Sequence, residues 1–325
     1  MSGTSSTLST WWARRPPAVG AAVMATGILA DALHETGYVG LFRIALILTA
    51  VAWLGLIVDI VVRAFVERDR WPAEAGSPSA LAPVAATATL GTGLSFQGWQ
   101  TPAEALLALA TVWWAVLIIP EVRAWERPLP GAVFLGCVAT QAVSVLGAVL
   151  SAALGVAWLA HTAMVFFWLG LLGYLAGLWC FDPRELVRGA GDHWVAAGAL
   201  AISALSGSRL VAAAHTGMYL WSDDDNHALR GMTLTVLFLA LVGYCLLAVA
   251  ELLRPRLGYD PRRWATVFPL GMTAAAVLSY GTVFRVSWLR GPGQVLLWIA
   301  VAAWFVVLVG AVPSVMGRLR PRAPR

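Results

Sequence analysis

Few polar residues of this chain stand at spacings that chemistry requires. The five histidines, His34, His161, His193, His215 and His227, are scattered near the ends of apolar runs, and none sits in an H-E-x-x-H or comparable metal-ligating pattern. No glycine-rich phosphate loop precedes a helix, and all 22 basic residues are arginine, so the lysine of such a loop is missing. A Gly-x-Ser nucleophile elbow needs a strand to stand on, and no strand is predicted. The residue types argue against an enzyme, and neither a metal nor another cofactor is expected.

What remains are weak dipoles and a few charges. Gln141 and Ser144 lie one helical turn apart inside an apolar run, and Ser203 and Ser206 repeat that spacing in another. Such groups in lipid need partners, so they either hydrogen-bond to a neighbouring helix or line an interior path. The serine hydroxyls can present donor dipoles to a passing anion or bond back to their own helix. Arg209 lies about a turn from the end of its run. It either draws anions into an outer vestibule, or snorkels to the interface or pairs with an acidic residue of the Asp223-Asp224-Asp225 run. Asp59 and Arg63, four residues apart, have the spacing of a structural ion pair.

The stretch Trp264 to Thr282 is a membrane-length apolar segment with a proline inside it. Pro269 removes a backbone donor inside a membrane-length apolar segment and predicts a bend, with the bulky Phe268 directly before it. Counting by three and four from Phe268 places Met272, Ala275 and Ser279 on one face, narrow and mildly polar below a single ring. A path between helices of this kind would have Phe268 as its plug.

The elements that must position these residues are membrane helices. Of 325 residues 59% are hydrophobic and 12% charged, the net charge is +5, and mean hydropathy is +0.76. Turn signals divide the chain into ten candidate spans, roughly 16–33, 38–64, 80–95, 102–124, 130–151, 154–180, 193–215, 228–253, 263–285 and 291–317. Ten spans put both termini on one side, which then collects every arginine except Arg43, Arg209, Arg230, Arg285 and Arg290. That bias makes the termini cytoplasmic. Residues 1–15 are expected to be a disordered cytoplasmic segment, 16–317 the transmembrane domain and 318–325 a basic cytoplasmic tail. Arg14-Arg15 and the apolar run after them imitate a cleavable signal, but Pro16 and Pro17 fit one poorly, and the segment is read as a retained first helix. Cys137, Cys180 and Cys245 are spaced for neither a metal nor a disulfide framework and are read as buried and inert.

The spans alternate in character. Even ones are bulky, with Trp53, Trp113-Trp114, Phe166-Phe167-Trp168, Leu237-Phe238-Leu239 and Trp304-Phe305. Odd ones are small and mildly polar: Thr26 and Gly27, Thr87 and Gly91, Gln141 and Ser144, Ser203 and Ser206, then Met272, Ala275 and Ser279. Small residues in one membrane helix signal close packing. Repeated in all five odd spans, they suggest five hairpins with the odd helices inside, and these residues are the candidates to line a pore.

Four blocks, VMATGILA (23–30), PLPGAVFLGCVATQAVSVLGA (128–148), HWVAAGALAISALSGSRL (193–210) and WATVFPLGM (264–272), resemble motifs of the tellurite-resistance/dicarboxylate transporter family. That family includes TehA-like proteins, malic acid permeases, sulfite exporters and plant guard-cell slow anion channels. The resemblance implies an all-α membrane fold of ten helices in five hairpins, a central pore lined by odd helices, and a homotrimer. It also implies occlusion by a phenylalanine of the ninth helix, here Phe268 before the kink at Pro269. Arg209 matches no motif of the family. The expected function is an anion channel or channel-like exporter in a cell membrane. Its partners would be small inorganic or organic anions and the lipid bilayer, with no nucleic acid. A proton-coupled carrier of C4-dicarboxylate or sulfite is the alternative, and a membrane sensor or scaffold a remote one.

Overall fold

A computed structural model describes residues 18–66, 77–125, 127–185, 191–216, 220–253 and 263–319, with residues 218 and 260 between them. Ten α-helices account for most of these: α1 (Ala18–Thr36), α2 (Val39–Val66), α3 (Ala82–Phe96), α4 (Gln100–Arg123), α5 (Leu135–Leu154), α6 (Ala157–Cys180), α7 (Trp194–Ala214), α8 (Asp223–Leu253), α9 (Trp264–Val283) and α10 (Arg290–Leu319). Of the two expected terminal segments, 1–15 lies outside the described residues, as does 320–325, whereas Arg318 and Leu319 continue α10.

The ten expected spans correspond to these helices, with one notable shift. The helix α8 starts at Asp223, five residues before the expected boundary, and absorbs the acidic run taken for a loop. Ser222 explains the difference. Its hydroxyl accepts the Asp225 backbone N–H at 3.2 Å, a side-chain cap, while three aspartates occupy the electropositive first turn.

Each odd helix packs antiparallel against the even helix that follows it, giving five hairpins. At the far end, where odd helices finish, four of the hairpin turns share one construction. A backbone N–H bonds back five residues, from Tyr38 to Leu33, Trp99 to Leu94, Val156 to Ser151 and Val286 to Gly281. This is the Schellman closure, which needs a left-handed residue just past the helix. Gly37, Gly98 and Gly155 supply it in three turns, and Arg285 supplies it in the fourth with φ 56°.

The odd helices close into a ring in chain order, α1 against α3, α3 against α5, α5 against α7, α7 against α9 and α9 against α1. All five therefore run in the same direction. Even helices stand outside, each in the seam between its own partner and the next odd helix. Burial follows this arrangement. In α5, α7 and α9 the most apolar stretch is 78–100% buried, against 17–28% in the even helices. Leu252, Phe65 and Val306 are among the bulky apolar side chains pointing outward. An outer surface of that kind is stable against hydrocarbon, not water.

Among the described residues, eight helices are long and apolar enough to cross a membrane. The helices α1 and α3 fall outside that set, since α1 carries Asp31 and Glu35 and α3 has 15 residues. Both belong to the ring, where other helices rather than lipid surround them. Three seams carry an indole–threonine hydrogen bond. The indole N–H groups of Trp53, Trp114 and Trp304 donate to Thr87, Thr140 and Thr26 at 2.9, 2.8 and 3.0 Å. Each bond runs from an even helix to the odd helix after it, with α10 reaching α1.

Candidate ion pathway

The α9 helix is 20 residues long, about 30 Å at 1.5 Å per residue, enough to span the hydrocarbon once. Pro269 sits one turn into it, and its carbonyl is taken by the Thr273 hydroxyl at 2.8 Å. The proline ring rests against Gly198 of α7, where an added Cβ would lie 2.8 Å from Cγ. Gly198 thus makes the notch in which the Pro269 ring is seated.

Contacts of α9 fix which way Phe268 points. Pro269 faces α7, Gly271 faces Ile28 and Leu29 of α1, and Val277 and Leu278 face Gly293 of α10. With about 100° per residue, Phe268, Met272, Ala275 and Ser279 fall between the α7 and α1 directions, on the side opposite α10. Because α10 stands outside the ring, that sector faces its interior. All four residues are buried, and the Ser279 hydroxyl has no hydrogen-bond partner.

The other small polar residues singled out from sequence lie in seams between helices. Thr26 and Thr87 accept indole N–H groups from α10 and α2 while bonding back to Ala22 and Pro83. Gly27 lets Thr89 of α3 and Thr49 of α2 approach, and Gly91 leaves room for Leu146 of α5. Gln141 donates to the Phe167 carbonyl at 2.9 Å, and Ser144 to the Ala163 carbonyl at 2.6 Å, both on α6. Ser206 of α7 donates to the Ser144 hydroxyl at 2.7 Å, so one chain of hydrogen bonds ties α7, α5 and α6. Ser203 bonds back to Ala199 and lies 4.0 Å from Cys137 of α5.

Arg209 has a partner other than the acidic run of α8. It forms an ion pair with Glu35 of α1 and lies 5.0 Å above the Phe96 ring of α3. Both side chains are mostly buried, with exposures of 12% and 7%. Asp31, one turn before Glu35, is buried with Oδ1 unpartnered. Two odd helices, α1 and α7, thus bring two carboxylates and a guanidinium together near the far end, with the Phe96 ring of α3 against the guanidinium. At the other end Asp59 and Arg63 pair at 3.0 Å, as their spacing predicts, and Glu251 of α8 pairs with Arg263 before α9 at 2.7 Å.

Sequence reasoning passed over Asp31, Glu35 and Glu121. Glu121 of α4 is fully buried, with the Trp125 indole beside it. A charged residue inside a span is itself the signal to look. It also overlooked the indole–threonine bonds, although Trp53, Trp114 and Trp304 stand at the same distance from the starts of their helices. Two cysteines depart from the buried reading: Cys245 of α8 is exposed and Cys180 at the end of α6 is half-buried, whereas Cys137 is buried.

Five hairpins closed around an inner ring, with apolar outer walls, define a multi-pass membrane protein of the channel or transporter type. The model of the voltage-dependent anion channel family matches residues 14–312, and the chain belongs to that family. This bears out the resemblance carried by the four sequence blocks. The family is one of channels and transporters, not of enzymes. No curated protein matches the chain.

Proposed function

We propose that this protein conducts or exports small anions along the axis of the five-helix ring, with the Phe268 ring as the gate. The inward stripe Phe268, Met272, Ala275 and Ser279 supports this reading most, because it pairs one bulky plug with small, weakly polar surroundings. An ion held by weak dipoles is also free to leave, as conduction requires. Pro269, seated in the Gly198 notch, holds the plug at its height. The hydroxyls of Thr26, Thr87, Ser144 and Ser206 and the amide of Gln141 support the wall by fixing the helices to one another, while Ser203 bonds back within its own helix. Both termini are cytoplasmic in this reading, the far end is the outer mouth, and the working unit in the cell membrane is a homotrimer.

Anion flux into liposomes tests the gate. Phe268→Ala is expected to raise flux many-fold and Phe268→Leu to raise it less, with the protein still folded. If Phe268 only packs a core, truncation costs about 3–5 kcal/mol of stability and flux stays flat. Thermal unfolding and flux measured on one preparation separate the two.

The buried carboxylates Asp31 and Glu121 favour a second reading, a proton-coupled carrier of C4-dicarboxylate or sulfite. A pH-sensitive dye inside the same liposomes distinguishes them. A channel passes anions without proton uptake, whereas a carrier acidifies the lumen in step with malate or sulfite entry.

A further inference from the structure

At the far end a cavity of about 520 Å³ opens between the last turn of α1, the last turns of α9 and the start of α10. Its wall includes His34, Glu35, Thr282, Arg285, Ser287 and Arg290. Glu35 is the acidic residue of this wall, and its carboxylate is engaged by Arg209. Arg285 and Arg290 have neither an ion pair nor a side-chain hydrogen bond. Two guanidinium groups therefore border one cavity with their donors unused. A guanidinium is a planar fork of N–H donors that matches a carboxylate, sulfate or phosphate edge.

The backbone at Arg285 adds an independent argument. The three sibling turns at this end place glycine at the left-handed position, where a side chain is strained. Two of the four turns border the cavity, with Gly37 in one and Arg285 in the other, and only the second carries a side chain there, a cationic one. Turn formation favours glycine and gains nothing from arginine. Strain of this kind persists where the side chain has another use.

We propose that this cavity binds an oxyanion through Arg285 and Arg290, either free in solution or as the headgroup of an anionic lipid. The site goes beyond conduction through the ring, and binding is read without flux, so either conclusion can fail alone.

The test melts the purified full-length protein in sodium sulfate against sodium chloride of equal ionic strength. Wild type is expected to gain a saturable rise in Tm from sulfate. Arg285→Gly gives the turn the residue of its siblings, so it should keep or raise the Tm without sulfate while shifting the sulfate midpoint about tenfold or more. Arg290→Gln should produce a similar shift. A second arm repeats the melt in nanodiscs with and without phosphatidylglycerol. Stabilisation by that lipid, lost in both variants, assigns the site to a headgroup, whereas a sulfate response lost in both assigns it to a soluble anion. A response kept at full strength in both variants, or no saturable response of wild type to either ligand, overturns the proposal.

Discussion

Arg209 and Glu35 are bound to each other inside the bundle, so a substitution at either reports first on the pair. Breaking a buried ion pair leaves one charge without compensation and costs about 3–5 kcal/mol, whereas replacing both partners can be nearly neutral. Arg209→Gln alone is therefore expected to lower Tm markedly, and Glu35→Gln in the same chain to recover most of the loss. A double-mutant cycle by thermal unfolding measures this, and simple addition of the two losses would dismiss the pairing. Conductance adds a further reading. If Arg209 attracts anions, Glu35→Gln leaves its charge uncompensated and should raise conductance at low ionic strength. The gain should shrink near 1 M salt, where the screening length is about 3 Å.

Among the elements, the seams between hairpins carry the most specific chemistry. Replacing Trp53, Trp114 or Trp304 with phenylalanine keeps an aromatic ring but leaves its threonine without the indole donor. Each change is expected to cost roughly 0.5–1.5 kcal/mol, and the triple variant about the sum, because the three bonds lie in different seams. Equal melting of the triple variant and wild type would show these bonds to be incidental. The same seams show how far the sequence could be read. Helix number and the alternation of small and bulky spans were legible, since they depend on composition along one segment at a time. The face shared by Phe268 and Ser279 was legible for the same reason. The partners of Gln141 and Ser144 were not, because helical spacing defines a face but not the neighbour that meets it. The one acidic partner considered for Arg209 was the run nearby in sequence, yet ring closure brings it to Glu35 of α1. The start of α8 was missed because three aspartates look like a loop until Ser222 is recognised as their cap.

For the whole molecule, the orientation proposed from the arginine bias has both termini in the cytoplasm, and on it a tag on either terminus should resist protease added to intact cells. Cleavage of either tag without lysis would reject that orientation. The common direction of the five inner helices gives the pathway a polarity of its own. Each helix carries about half a positive charge at its start and half a negative charge at its end. Five starts together make the cytoplasmic mouth attractive to anions, while five ends make the outer mouth repulsive wherever arginines do not offset them. The even helices point the other way but stand farther from the axis. The two mouths thus present unlike barriers to one ion, and the open pathway should rectify. With the same anion solution on both sides of a bilayer holding oriented Phe268→Ala protein, the current–voltage curve should bend, and reversing the orientation should mirror it.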